Sequence, residues 1–70
     1  MKSLGEKLKE KRINLRLTQQ LLADLSGVSR SYIVEIEGEI HNNISISILC
    51  DLCKVLNCTP NDLIPEELYT

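Results

Sequence analysis

One histidine and three cysteines are the residues of this sequence best suited to metal or covalent chemistry. Cys50 and Cys53 have the C-x2-C spacing, Cys58 follows them, and His41 could complete a zinc site. We favour a different interpretation, because Cys50 and Cys53 fall inside a continuous helical pattern and a buried free cysteine behaves as a small hydrophobic residue. An odd cysteine count in a reducing compartment also argues against a disulfide framework. We therefore expect no metal, no cofactor and a solvated His41.

A catalytic site is not expected either. A single histidine cannot complete an arrangement of nucleophile, base and acid, and the sequence contains no phosphate-binding glycine loop. We therefore predict that the protein is not an enzyme. Its chemistry should consist of hydrogen bonds and electrostatic attraction at a surface.

The polar side chains best placed for directional hydrogen bonds lie in residues 18–37, a stretch that predicts two short helices joined by a tight turn. Gly27 suits the left-handed position that ends a helix, and Ser29 can cap the next one. This arrangement is typical of a helix-turn-helix. Apolar residues at helical spacing form its inward set, namely Leu17, Leu22, Ala23, Leu25, Val28, Ile33 and Ile36.

Apolar pairs that flank helix caps recur along the chain and predict five helices. In each pair one residue precedes the cap and the other lies four positions beyond it, which is the spacing of a hydrophobic staple. The pairs are Leu17 and Leu22 about Thr18, Val28 and Ile33 about Ser29, Ile44 and Leu49 about Ser45, and Cys58 and Leu63 about Thr59. Ser3 and Glu6 have the spacing of a capping box. The predicted helices span residues 3–15, 18–25, 29–37, 45–56 and 60–64.

Two further helices show one apolar stripe each, which predicts an all-α fold. The first helix buries Leu4, Leu8 and Leu15. Pro60 suits the first position of the last helix, where its missing N–H would have no partner. The fourth helix directs a longer stripe toward the core, namely Ile46, Leu49, Leu52, Cys53 and Leu56.

Four apolar residues lie off these stripes and form a separate patch. They are Ile44, Ile48, Val55 and Ile64. A patch of this kind needs covering. We favour a homodimer contact, and the alternative is that the C-terminal tail, through Leu68 and Tyr69, folds back over it.

Length and composition favour one small domain, residues 1–70. A chain this short buries only about 60% of its unfolded surface. Hydrophobic residues make up 43% of it, with no Trp and no Phe, so the core must consist mainly of Leu, Ile and Val. The start is charged rather than signal-like, and no apolar run approaches the ~20 residues of a membrane span. We expect a cytoplasmic protein without a membrane partner.

From about Leu4 to Ile64 the sequence resembles the Cro/C1-type repressors, also called the XRE family. The matching residues are Arg12, Thr18-Gln19, Leu22-Ala23, Gly27-Val28-Ser29, Ile33, Ile36-Glu37, Leu49, Leu52, Leu56 and Asp62-Leu63. The resemblance implies a five-helix lambda-repressor-like domain with the helix-turn-helix at its second and third helices. It also implies a sequence-specific transcriptional regulator, a repressor that binds a partly palindromic operator in double-stranded DNA as a homodimer, with no small-molecule ligand.

In this motif the third helix enters the major groove, so its outward residues become the expected base contacts. These residues are Arg30, Ser31, Val34 and Glu35. Arginine presents two parallel donors that match O6 and N7 of guanine, and Ser31 can reach a base or a phosphate. Glu35 could accept from a cytosine amino group, or it could repel phosphates.

Other positions match the family's backbone contacts and its structural ion pair. Gln19 opens the second helix and resembles a phosphate contact, with a solvated surface residue as the alternative. Tyr32 could reach the backbone or pack beside Ile36. Arg12 and Glu37 match a salt bridge that ties the first helix to the third, which matters if it is partly buried and little if it is exposed.

The charge distribution and one loop count against the expected function. The net charge is −2, although six of the eight basic residues lie in the first sixteen positions, where Lys7 and Lys9 could reach phosphates or merely solubilise a helix. The loop 38–43 has no Lys or Arg, whereas relatives place basic residues there. The alternative is therefore a protein-interaction module that has lost DNA binding and docks on another regulator through Ile44, Ile48, Val55 and Ile64.

Overall fold

The computed structural model describes residues 3–41 and 44–63. Its helices are α1 (Leu4–Asn14), α2 (Gln19–Ser26), α3 (Arg30–Glu37), α4 (Ile46–Leu56) and α5 (Pro60–Leu63). Each helix begins and ends within one residue of the predicted bounds, and the predicted all-α fold is confirmed. Within the described part of the chain, no helix is long and apolar enough to cross a membrane.

Side-chain oxygens accept hydrogen bonds at the starts of the first four helices. Ser3 accepts from the Glu6 N–H at 3.2 Å while the Glu6 carboxylate accepts from the Ser3 N–H at 3.2 Å, so both parts of the capping box are present. Thr18, Ser29 and Ser45 each accept from the N–H three residues ahead. Such caps contribute about 1 kcal/mol each, which is large for helices of only two or three turns.

Left-handed residues turn the chain after the helices. Gly27 ends α2 with φ 78° and Asn57 ends α4 with φ 54°. Arg16, after α1, and Glu39, after α3, also have positive φ, 59° and 63°. Side chains other than glycine are strained there, so the contacts on either side of these two turns must hold them in place.

One core joins all five helices. It consists of Leu4, Leu8, Leu22, Ala23, Val28, Ile33, Ile36, Leu49, Leu52, Cys53, Leu56 and Leu63. The core residues of α1 and α4 follow the helical spacing seen in the sequence. Three other residues that the sequence placed in the core lie at the surface instead.

These exposed residues are Leu15, Leu25 and Ile46, at 46%, 58% and 70% exposure. Leu15 lies just past the last residue of α1, where the chain turns into the left-handed Arg16. Leu25 is on the side of α2 that also exposes Leu21. Ile46 is the first residue of α4, almost one turn before Leu49, the first buried residue of that helix. Each of these residues continues an apolar pattern at helical spacing, but no helix in the described part of the chain covers its side chain.

The off-stripe patch is partly covered by the protein itself. Ile44, Ile48 and Val55 are half-buried and pack against the core. Ile64 lies outside the described residues, as do Leu68 and Tyr69 of the alternative cover. The core therefore covers part of each of the three described residues, although all three keep some exposed surface.

Gly5 allows α1 to approach α3 closely. A Cβ atom at position 5 would overlap the carbonyl oxygen of Ile36 and lie 3.2 Å from the Cα of Glu37. The contact is with backbone, which cannot move aside as a flexible side chain can. The start of α1 thus fixes the spacing at the C-terminal end of α3.

Candidate nucleic-acid interface

The outward face of α3 carries the predicted base-contacting residues together. At 3.6 residues per turn, Arg30, Ser31, Val34 and Glu35 fall within about 140° of the helix circumference. The first three are exposed and Glu35 is half-buried, whereas Ile33 on the opposite side is fully buried. The Arg30 side chain forms no hydrogen bond or ion pair within residues 3–41 and 44–63, so its guanidinium donors are available to a ligand.

A buried ion pair holds the C-terminal end of α3. Arg12 Nε donates to Glu37 Oε2 at 2.7 Å, and Arg12 Nη2 donates to Glu37 Oε1 at 3.0 Å. The two side chains are only 11% and 5% exposed. Arg12 Nη1 also donates to the Leu17 carbonyl at 2.8 Å. The guanidinium therefore connects α1, the chain entering α2, and α3.

Gln19 adds a third helix, α2, to this network. Its Nε2 donates to Glu37 Oε1 at 3.2 Å, and the side chain is half-buried. The sequence suggested Gln19 as a phosphate contact but gave no sign of this link, which depends on how α2 crosses α3. An amide nitrogen has two hydrogens, so one N–H remains beside the N-terminus of α2.

The burial of the Arg12–Glu37 pair decides whether it is structurally important or negligible, which the sequence left open. An exposed pair contributes little, whereas removal of one partner from a buried pair leaves an uncompensated charge and destabilises by about 3–5 kcal/mol. Here the carboxylate accepts three hydrogen bonds, from Arg12 twice and from Gln19 once. The pair thus acts as a structural element that sets the orientation of α3.

His41 contacts α3, although we expected it to be solvated. Its Nε2 lies 2.9 Å from Glu35 Oε1, and its ring centroid lies 4.7 Å from that of Tyr32. The loop folds back because the Glu39 N–H donates to the Ile36 carbonyl and the Ile40 N–H donates to the Glu35 carbonyl. These backbone bonds have no signature in the residue types, so sequence reasoning missed the contact.

Tyr32 faces the core and the loop more than open solvent. It is half-buried and packs against the core cluster, with the His41 ring tilted 47° against it. The sequence left open a backbone contact and packing for this residue. The packing is present, and the ring also supports the histidine that binds Glu35.

The two predicted lysine contacts do not form one basic strip. At 3.6 residues per turn, Lys7 and Lys9 lie about 160° apart around α1. Hydrogen bonds from the Thr59 backbone and hydroxyl lower the pKa of the Asp62 carboxyl, and Lys11 and Lys7 lower it further. Lys7 therefore lies within electrostatic range of α5. Lys9 is exposed and lies beside the acidic residues Glu6 and Glu10.

The three cysteines line an open cavity of about 510 Å³ between α4 and α5. Burial raises the pKa of the Cys53 thiol to about 12, and the neighbouring Cys58 adds to the shift. Within the described ranges, His, Cys, Asp and Glu side chains form no group of three that could hold a metal ion. The cysteines are free thiols, and His41 lies with α3 instead.

Comparisons with known proteins place this helix arrangement among DNA-binding regulators. A helix-turn-helix family model matches residues 8–63, which include the buried ion pair and the exposed face of α3. A comparison with curated proteins gives no match.

Two solved structures are similar over most of the chain. One is the restriction-modification controller protein C.AhdI from Aeromonas hydrophila, with 34% identity over 87% of this chain and 91% of that chain, at a TM-score of 0.81. The other is SinR, a master regulator for biofilm formation, in complex with DNA. It has 30% identity over 86% of this chain and 98% of that chain, at a TM-score of 0.83.

Proposed function

Because the chain belongs to the helix-turn-helix family of the Cro/C1 or XRE type, and is a DNA-binding transcriptional regulator, we propose that it is a sequence-specific repressor that binds a partly palindromic operator as a homodimer. The observation that carries the proposal is the fixed exposure of one face of α3. Hydrogen bonds among Arg12, Glu37 and Gln19 fix the C-terminal end of α3, while the polar side chains on its outward face remain available.

Arg30 is the principal base contact in this proposal. Its donors match the O6 and N7 acceptors of guanine in the major groove, and a good pair of such bonds discriminates by about 1–3 kcal/mol. Ser31 can donate or accept beside it. Val34, 42% exposed, offers an apolar surface suited to a thymine methyl group. Glu35 completes the set as an acceptor for an amino group.

Backbone contacts in this proposal come from the start of α2 and from the lysines. Gln19 is the first residue of α2, where backbone N–H groups and the helix dipole favour a phosphate. Lys9 is exposed and contributes long-range attraction, whereas Lys7 contributes less because the Asp62 carboxylate offsets part of its charge. Tyr32 contributes mainly by packing. Few phosphate contacts predict a modest dependence of affinity on salt.

The homodimer would use the apolar patch on the α4 side of the protein. Ile48 and Val55 lie seven residues apart on that helix and remain partly exposed, with Ile44 immediately before it. Ile64 follows α5 in the sequence. A two-fold dimer through this patch would present two copies of α3 to successive major grooves, which is the geometry that a partly palindromic operator would require.

The test begins by sequencing genomic fragments that the purified protein retains, which identifies the operator. Parent protein and Arg30→Ala are then titrated at moderate salt against operator, random duplex, and an operator whose half-sites are shifted by about five base pairs, half a helical turn. Arg30→Ala should remove about 1–3 kcal/mol per half-site on the operator and little on random duplex. Lys54→Ala, at an exposed position of α4, is the matched charge control and should discriminate as the parent does.

The second candidate function is a protein-interaction module that docks on another regulator. The net charge of −2 and the absence of Lys and Arg from the loop 38–43 favour it. Equal binding of operator, shifted operator and random duplex, with Arg30→Ala unchanged from the parent, would support this candidate over the repressor.

A further inference from the structure

His41 is a loop residue that binds a side chain of the proposed base-reading face of α3. This face consists of Arg30, Ser31, Val34 and Glu35. Its imidazole Nε2 is 2.9 Å from Glu35 Oε1, and the two side chains are 34% and 45% exposed. A carboxylate only accepts hydrogen bonds, so this nitrogen carries the proton. Glu35 Oε2 has no hydrogen-bond partner in the described part of the chain.

We propose that His41 is a positioning residue for base recognition, which fixes the Glu35 carboxylate so that Oε2 accepts a hydrogen bond from the exocyclic amino group of cytosine. This inference rests on the proposed function, because it assigns a role within the same face of α3. It also gives the loop 38–41 a function other than the phosphate contact that basic residues would provide.

Two restraints hold His41 in this position before DNA arrives. The Tyr32 ring supports one side of the imidazole at a centroid distance of 4.7 Å. The Ile40 N–H donates to the Glu35 carbonyl at 2.9 Å, which brings the loop back onto the residue whose side chain His41 binds. The Glu35 carboxylate is therefore held by a contact that exists before DNA binds and that lies near the C-terminal end of α3.

Electrostatics give the contact a second effect. Phosphates repel an unrestrained carboxylate on a DNA-facing surface. This repulsion favours side-chain conformations that point away from the duplex. A hydrogen bond from the imidazole offsets part of the charge on Oε1 and opposes that movement. Glu35 can then read a base without a basic neighbour of the lysine or arginine type in the loop.

The experiment measures base preference position by position in the operator. Parent, His41→Ala, His41→Gln and His41→Phe compete for operators that carry each of the four bases at every position of one half-site. Gln retains an N–H donor, whereas Phe retains only the ring that packs on Tyr32. His41→Ala and His41→Phe should lower the preference for cytosine at one position by about fivefold or more. His41→Gln should keep most of it.

A merely structural role for His41 would give a different pattern. The guanine preference that Arg30 provides should be unchanged in all three variants, and their helical circular dichroism should melt as the parent does. Glu35→Ala removes the acceptor and should lose the same cytosine preference, and adding His41→Ala to it should cause no further loss, because His41 acts through Glu35.

Two outcomes overturn the inference on its own. These are an unchanged cytosine preference in His41→Ala, and an equal loss of preference at every position. If Arg30→Ala still relaxes discrimination in those cases, the proposed function stands without the role for His41. If the parent itself does not discriminate operator from random duplex, both the function and the inference fall.

Discussion

Glu37 is the residue on which the position of α3 depends most directly. Its carboxylate accepts from Arg12 Nε, Arg12 Nη2 and Gln19 Nε2, and its side chain is 5% exposed. A carboxylate that accepts several hydrogen bonds is stable as an anion even when buried, because the donors replace its hydration. Within the described residues, every buried side-chain polar atom has a hydrogen-bond partner.

We predict that Arg12→Ala destabilises the protein strongly. Glu37 would remain buried with only the Gln19 amide as donor, and the Leu17 carbonyl would lose the guanidinium, so the free energy of unfolding should fall by about 3–5 kcal/mol. Urea unfolding followed by circular dichroism measures this change. Arg16→Ala removes the same charge from an exposed position and serves as the control.

The double variant Arg12→Leu with Glu37→Leu distinguishes an unpaired charge from lost packing. It should recover much of the stability, since replacing both partners of a buried pair by apolar residues is often nearly neutral. If Arg12→Ala were as stable as Arg16→Ala, the ion pair would contribute nothing to the stability of the fold.

Helix α3 is held at both ends and left open along one side. Ser29 caps its start, and α1 contacts its end through Gly5 and Arg12. Its buried side chains Ile33 and Ile36 fill the core between these ends. Rotation of α3 about its axis would break the ion pair before it moved the outward face of the helix far.

Gly5→Ala tests this helix contact because two effects predict opposite signs. Helix propensity alone predicts a gain of about 1 kcal/mol when alanine replaces glycine inside a helix. The overlap of the new Cβ with the Ile36 carbonyl requires α1 to shift from α3, and overpacking of this kind typically destabilises by about 1–3 kcal/mol. We expect the overlap to dominate and the melting temperature to fall.

The same variant should also weaken operator binding, because a shift of α1 moves Arg12 relative to Glu37. Lys9→Ala, on the exposed side of α1, provides a control for stability and should change it by less than about 0.5 kcal/mol. A more stable Gly5→Ala protein would mean that the two helices have room to separate.

Across the whole chain, local signals in the sequence predicted the positions of the helices well and the burial of some residues badly. Ser3, Thr18, Ser29 and Ser45 cap their own helices through contacts three residues long, so their pattern is visible in the sequence. Burial depends on a second element. Ile46 has apolar spacing, but no described part of the chain covers it.

The candidate site was predictable to the same extent. The outward residues of α3 follow from helical spacing, and the family resemblance supplied Arg12 with Glu37. The link from Gln19 to Glu37 and the contact of His41 with Glu35 join residues 18 and 6 positions apart. Neither has a periodic pattern, because each depends on a helix crossing or a loop closure that only the folded chain defines.

Cys53 should report the opening of the whole molecule. Its thiol is buried in the core and its pKa is raised to about 12, whereas Cys50 and Cys58 are half-buried beside the open cavity. We predict that an alkylating reagent at pH 8 modifies Cys50 and Cys58 in the folded protein and Cys53 only after global unfolding. Peptide mass spectrometry over time gives the three rates.

The direction of the Cys53 pKa shift also predicts a loss of stability in alkali. Since the pKa of Cys53 in the folded protein lies above the ordinary thiol value of 9.0, its contribution to stability is fully present below pH 9 and is lost as the pH rises toward 12. Cys53→Ala should flatten this loss. Equal alkylation rates for all three cysteines in the folded protein would contradict the burial of Cys53.

The hydrogen bond from Gln19 to Glu37 reduces the side-chain entropy that Gln19 would lose in the proposed phosphate contact. A free glutamine side chain loses roughly 1.5–2 kcal/mol of rotamer freedom when it is fixed. Here one amide N–H is already bonded at 3.2 Å in the free protein, while the second N–H remains for a phosphate in the proposed binding mode. Folding has therefore already restricted these torsions, so the proposed phosphate contact at the start of α2 would be preorganised.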